Sequence, residues 1–161
     1  MKTKFISIII LFCILSCSQQ KQAFRTDKKA TIINQSEYIN WIAGKEYKPL
    51  TPTQSELEQI DIILQDALSK GEFYFLKEQT LKELKNRYRQ YICYINGNGD
   101  KIVYVNSFCK IPTIYDDDGK AKLLDWKNEM VDTADGGSCY WNMKINLTKN
   151  TYYELIINGN S

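Results

Sequence analysis

Few side chains in this sequence carry obvious chemistry. Three cysteines, Cys93, Cys109 and Cys139, lie in the second half of a 161-residue chain that contains no histidine. Without histidine there is no Ser-His-Asp or Cys-His relay, no imidazole-ligated zinc and no general base with an ordinary pKa near neutrality. The three thiols fit no paired-cysteine metal spacing, and three thiolates alone make a poor zinc site. Neither a metal nor a cofactor is therefore expected. Three uses of the cysteines remain: buried small apolar side chains, one disulfide, with Cys109–Cys139 the preferred pair and a thiol left over, or a reactive thiol.

Other short patterns are weaker. Ser107-Phe-Cys-Lys110 matches the Ser-x-x-Lys order of serine acyltransferases, but it falls in a strand-like run and its partner motifs are missing. Asp116-Asp117-Asp118-Gly119 offers hard oxygen ligands for calcium without the twelve-residue loop or its terminal glutamate, so it reads as a solvated turn. Glu72, Glu78, Asp125 and Glu129 are the acids from which a carboxylate hydrolase would have to be built, with two facing each other across roughly 5–10 Å. Tyrosines concentrate in the β-rich runs, and Tyr94, Tyr104 and Tyr140 are the candidates for an exposed aromatic surface of the kind that binds peptides or sugars.

The first two cysteines, Cys13 and Cys17, belong to a different kind of segment. Lys2 and Lys4 precede an apolar run from Phe5 to Leu15, too short to span a bilayer and suited to a secretory signal peptide. The run ends in Ile14-Leu15-Ser16-Cys17, which looks like a bacterial lipobox. Residues 1–16 are then the lipoprotein signal peptide, and the Cys17 thiol carries the lipid by which the chain is anchored to a membrane. Several acyl chains give stable anchoring where one is marginal. Cleavage removes Lys2 and Lys4 from 21 basic residues and none of the 19 acidic ones, so the two signs balance in the mature chain. A neutral chain does not suit nucleic-acid binding, which calls for a basic patch.

The elements that must position these residues follow from pattern. Residues 17–30 are polar, charged and non-periodic and read as a flexible tether; residues 31–161 form one domain. Residues 31–50 suggest an apolar element, helix or strand, broken at Gly44. Thr53 and Glu56 form a capping box, and Leu57, Ile60, Ile63, Leu64, Ala67 and Leu68 recur at helical spacing with Gly71 as the stop. The run from Tyr88 to Cys109 is two strands joined by Asn96-Gly97-Asn98-Gly99, a hairpin signal. From Ser138 to Leu147, apolar Cys139, Trp141, Met143, Ile145 and Leu147 alternate with polar residues, and Tyr152–Ile157 pairs back across a turn at 148–150. Between the hairpins lie the Asp-rich turn and a short helix at 123–130. The expected fold is α+β: one long amphipathic helix packed on a four-stranded or larger antiparallel sheet, in a cystatin-like element order.

With those stretches in hand, the chain resembles a group of small uncharacterised lipoproteins of the Bacteroidota. The resemblance rests on PLTPTQSELEQID, YRQYICYINGNGDKIVYVNSFC and DGGSCYWNMKINL and covers most of residues 48–158. It brings no catalytic residue. It implies O-glycosylation of Thr133 within Asp132-Thr133-Ala134, and a periplasm-facing chain, because Ser18-Gln19-Gln20 lacks the acidic residues that resemble a surface-export signal there. The expected function is a membrane-anchored binding or interaction module rather than an enzyme, with a protein partner if it serves as an inhibitor or immunity protein. The alternatives are a carboxylate hydrolase acting on cell-wall glycan and a purely structural envelope protein.

Overall fold

The computed structural model of the chain describes residues 28–44 and 46–159. The expected signal peptide with Cys13, the expected lipidation site Cys17 and most of the expected tether lie outside the described residues. Among the described residues, eight strands and three α-helices follow in chain order: β1 (Ala30–Ile33), α1 (Ser36–Ala43), β2 (Tyr47–Pro49), α2 (Gln54–Ser69), α3 (Leu81–Lys85), β3 (Tyr88–Asn96), β4 (Lys101–Phe108), β5 (Thr113–Tyr115), β6 (Ala121–Leu123), β7 (Trp141–Asn146) and β8 (Thr151–Ile157).

The α2 helix begins as its sequence dictates. Thr53 Oγ1 accepts from the Glu56 backbone N–H, and the Glu56 carboxylate accepts from the Thr53 backbone N–H at 2.7 Å, so two orphan donors are satisfied reciprocally. Leu57, Ile60, Ile63, Leu64, Ala67 and Leu68 are all buried. Gly71 stops the helix at φ +77°.

The sheet is larger than four strands and is mixed. Its order is β1-β3-β4-β7-β8, with β2 also pairing β3. Strand β1 runs parallel to β3, pairing Ile33 with Ile92, while the remaining pairs are antiparallel. The chain between β1 and β3, which holds α1, β2, α2 and α3, supplies the crossover a parallel pair requires. The fold is thus α+β, but its order departs from one helix followed by four antiparallel strands.

Alternation along the strands divides the core. On one face Tyr91, Cys93, Val103, Val105, Trp141, Met143 and Ile145 pack against α2, with Phe73 and Leu84 closing the end. On the other, Ile33, Ile92, Tyr94, Ile102 and Tyr104 meet Ile39 of α1 and Met130. Further along that second face Phe108, Trp126 and Val131 form a third cluster, with Tyr88 stacked on Phe108 at 5.5 Å.

Three local expectations change. The tether ends earlier than residue 30: Ala30 already opens β1, and the Lys29 carbonyl accepts from the Arg89 N–H. Residues 123–130 form no helix. They make a single turn in which the Asp125 carbonyl accepts from the Asn128 and Glu129 N–H groups, and the turn does not continue because the Trp126 carbonyl, which a helix would offer to the Met130 N–H, accepts from the Gln90 side chain instead. Residues Gly137–Cys139 form a 3-10 turn, so β7 starts at Trp141. The Asp-rich stretch is the tip of the β5–β6 hairpin, where the Asp116 side chain accepts from the Lys120 N–H. Among the described residues no helix is long and apolar enough to cross a membrane.

Candidate functional site

The two sheet faces are covered unequally. The α2 helix covers the first. On the second, α1 and the 126–131 segment lie over β1, β3 and β4, and the cover stops there. The cross-strand rows run from covered to open: Gln90, Asn106, Asn142, Ile156 in one; Ile92, Tyr104, Lys144, Tyr153 in the next. Tyr153 and Ile156 at the open end are exposed, at 38% and 53%. A bulge between Asn142 and Lys144 re-aims this edge. Glu154 in the bulge has φ +53° and forms an ion pair with Lys144 at 2.7 Å.

Where cover gives way to open sheet there is a small cleft of about 60 Å³. Its polar wall comes from Asp132, Thr133, Asn142 and Asn158, and one rim is Trp41. Trp41 stands on α1 off the stripe formed by Tyr38, Ile39 and Ile42, which packs on the sheet, and its side chain is 65% exposed. The cleft floor is fixed by hydrogen bonds. Gln90, fully buried, donates to the carbonyls of Trp126 and Glu129 at 2.6 and 2.7 Å and accepts from Val131 N–H at 2.9 Å. Asn106 Nδ2 donates to Gln90 Oε1 and to the Val131 carbonyl. Asn158 Nδ2 donates to the Thr133 carbonyl. Tyr104 lies beneath, its phenol pushed up to about 12 by burial, with the Asp132 charge adding to the effect.

The aromatic surface expected from Tyr94 and Tyr104 is not there. They are 4% and 9% exposed because α1 and Met130 cover that face, which strand propensity alone does not reveal. Tyr140 is half-buried, its ring against Gly136. A Cβ on Gly136 would fall 2.5 Å from Tyr140 Cδ2, and its φ of +112° independently favours glycine.

Cys109 and Cys139 are joined in a disulfide, with Cα atoms 5.2 Å apart. It ties the end of β4 to the 3-10 turn before β7 and so closes the excursion that carries the β5–β6 hairpin and the cleft wall. The Arg87 guanidinium braces the same corner, donating to the Ser138 carbonyl at 2.7 Å and lying 3.4 Å from Cys109 Sγ. Cys93 is a free, buried thiol in the main core, and burial pushes its pKa up.

The remaining candidates do not converge. Ser107 is buried on β4 and its hydroxyl has no hydrogen-bond partner among the described residues, while Lys110 of the same motif is exposed. Glu72 and Glu78 are exposed in the segment after α2, and Asp125 and Glu129 are exposed in one turn after β6. Glu72 accepts from the Tyr152 hydroxyl, and Asp125 accepts from Asn128. Glu78 borders a depression with Glu83, but the Glu83 carboxylate is engaged by the backbone N–H groups of Lys77 and Glu78. Among the described residues no group of three cysteines or acids is placed to hold a metal ion.

Trp41, Asp132, Asn142 and Asn158 are the cleft residues that sequence patterning passes over as binding groups. One signal was available: Trp41 is a large aromatic on the outward side of an amphipathic element. In the sequence Thr133 reads only as a modification site, and the structure places it in the cleft wall. No protein-family model, no curated protein and no solved structure matches the chain.

Proposed function

We propose that the chain is an envelope lipoprotein, anchored by a lipid on Cys17 and facing the periplasm, that works as a binding module. Its contact surface is the half-open second face of the sheet, centred on the Trp41 cleft. The observation that carries this reading is the exposed Trp41 indole beside a wall of fixed polar groups, on a face whose other half is fully packed. Large exposed aromatics next to ordered hydrogen-bonding groups mark contact sites more often than bare surface. A chain without histidine favours binding over catalysis.

The anchor is tested by the intact mass of the protein purified from its native membrane. A mass beginning at Cys17 with added acyl chains, lost in a Cys17→Ala variant that leaves the membrane fraction, supports it. A soluble, unacylated chain cut elsewhere overturns it. The same spectrum reads out a glycan on Thr133, which disappears in Thr133→Val if that residue is the acceptor.

A further inference from the structure

We propose that the cleft beside Trp41 is a saccharide subsite: a neutral, hydroxyl-rich sugar ring lies on the Trp41 indole and its exocyclic groups reach Asp132, Thr133 and Asn142. The assignment rests on the binding-module reading above and names the ligand class for that face.

The indole is available as a platform. Trp126 and Trp141 are 7% and 1% exposed, so Trp41 is the one tryptophan of three that packing does not use. The α1 helix is already seated by Ile39, with Tyr38 and Ile42 half-buried beside it. A flat aromatic face bordered by hydrogen-bonding groups complements a pyranose, which has an apolar C–H face and a polar rim.

The charge and polarity of the wall narrow the class. Asp132 supplies a carboxylate acceptor, Thr133 in its unglycosylated form a hydroxyl and Asn142 an amide, while no lysine or arginine lines the cleft. Lys144, the cation in the neighbouring row, is already paired with Glu154 at 2.7 Å. A phosphate or carboxylate ligand would face Asp132 with no counter-charge, whereas a polyol donates to it. Asn106 and Asn158 spend their Nδ2 groups on backbone carbonyls, which fixes both amides and leaves each Oδ1 as an acceptor. The hollow is of the size that holds a few ordered waters. It therefore suits a hydroxymethyl or acetamido substituent, with the ring itself outside on the indole.

The test uses the full chain in detergent and acrylamide quenching of tryptophan fluorescence, which Trp41 should dominate. The probes are neutral trisaccharides of glucose, N-acetylglucosamine, mannose and galactose, with trialanine and inorganic phosphate alongside. The expected result is saturable protection of Trp41 by at least one trisaccharide at concentrations up to about 10 mM. Asp132→Asn or Asn142→Ala should weaken it by about tenfold, with the far-ultraviolet circular dichroism unchanged. Trp41→Leu should abolish the heat of binding in calorimetry. Protection by trialanine or phosphate but by no trisaccharide overturns the saccharide assignment and leaves the binding face standing. Protection by no probe overturns both.

Discussion

Gln90→Met is the perturbation that best probes how the cleft is built. Methionine is close to glutamine in length and volume, so little cavity is made, but four hydrogen bonds disappear: two from Nε2 to Trp126 and Glu129 carbonyls and two to Oε1 from Val131 N–H and Asn106 Nδ2. Asn106 keeps its bond to the Val131 carbonyl, and the carbonyl of exposed Glu129 can turn to water. The Val131 N–H and the Trp126 carbonyl belong to residues only 3% and 7% exposed and are left without partners. Two buried orphans at about 1–3 kcal/mol each, plus a smaller loss from the other two bonds, give about 3–6 kcal/mol. Against a total of about 5–15 kcal/mol this is a large fraction, worth on the order of 10–20 °C in Tm for a domain of this size. Urea unfolding of Gln90→Met beside a Gln65→Met control, at an exposed position of α2, measures it. A loss below about 1 kcal/mol would mean that Gln90 does not hold the 126–131 segment to the sheet, and the account of the cleft wall would fail with it.

Three further outcomes follow from the same geometry. The Cys109–Cys139 disulfide spans 30 residues of sequence, so the double serine variant should lose about 3–4 kcal/mol by the loop-entropy relation, and the native described domain should yield no thiol to alkylation until unfolding exposes Cys93; an unchanged urea midpoint contradicts this. Asp100 accepts from Lys149 at 2.7 Å and Asn146 at 3.0 Å, which holds its carboxyl below the usual range; a depressed folded pKa confers stability above the unfolded value of about 3.9 and loses it as pH falls through and below that point. Asp100→Asn should therefore flatten the acid limb of stability between pH 6 and 2, and superimposable limbs would refute the assignment. Gly136→Ala should cost about 1–3 kcal/mol, from the strained φ and the displaced Tyr140 ring, and thermal unfolding at two scan rates reads it.

The parts of the fold that were legible are those decided locally. Thr53, Glu56 and six apolar residues at helical spacing specify α2, and Asn96 to Gly99 specify the β3–β4 turn, where Asn96 Oδ1 accepts from Asn98 and Asp100 N–H groups. What escaped depends on partners far away in sequence. The run from Tyr91 to Tyr94 is apolar at both parities, the mark of a strand buried on both faces. Tyr94 therefore belonged to the core, although only the parallel placement of β1 and the seat of α1 reveal what covers it. The excursion from 110 to 138 is organised by Gln90, a polar residue on a buried strand whose partners are carbonyls 36 and 39 residues away. No periodicity encodes such a contact. The cleft followed from the same blindness: Asp132, Asn142 and Asn158 come together only once that excursion is laid down beside β7 and β8.

The central claim is that ligand contact occurs at the Trp41 face. Its most direct measurement is photo-crosslinking in the native envelope, with a benzophenone amino acid placed at position 37, the exposed site one turn before Trp41 on α1, or, as control, at position 62. Ile62 is exposed but stands on the solvent side of α2, which covers the opposite face of the sheet. Capture of a discrete species from position 37 and not from position 62, lost on addition of Asp132→Asn, is the predicted result. Equal capture from both positions, or capture from position 62 alone, would contradict it.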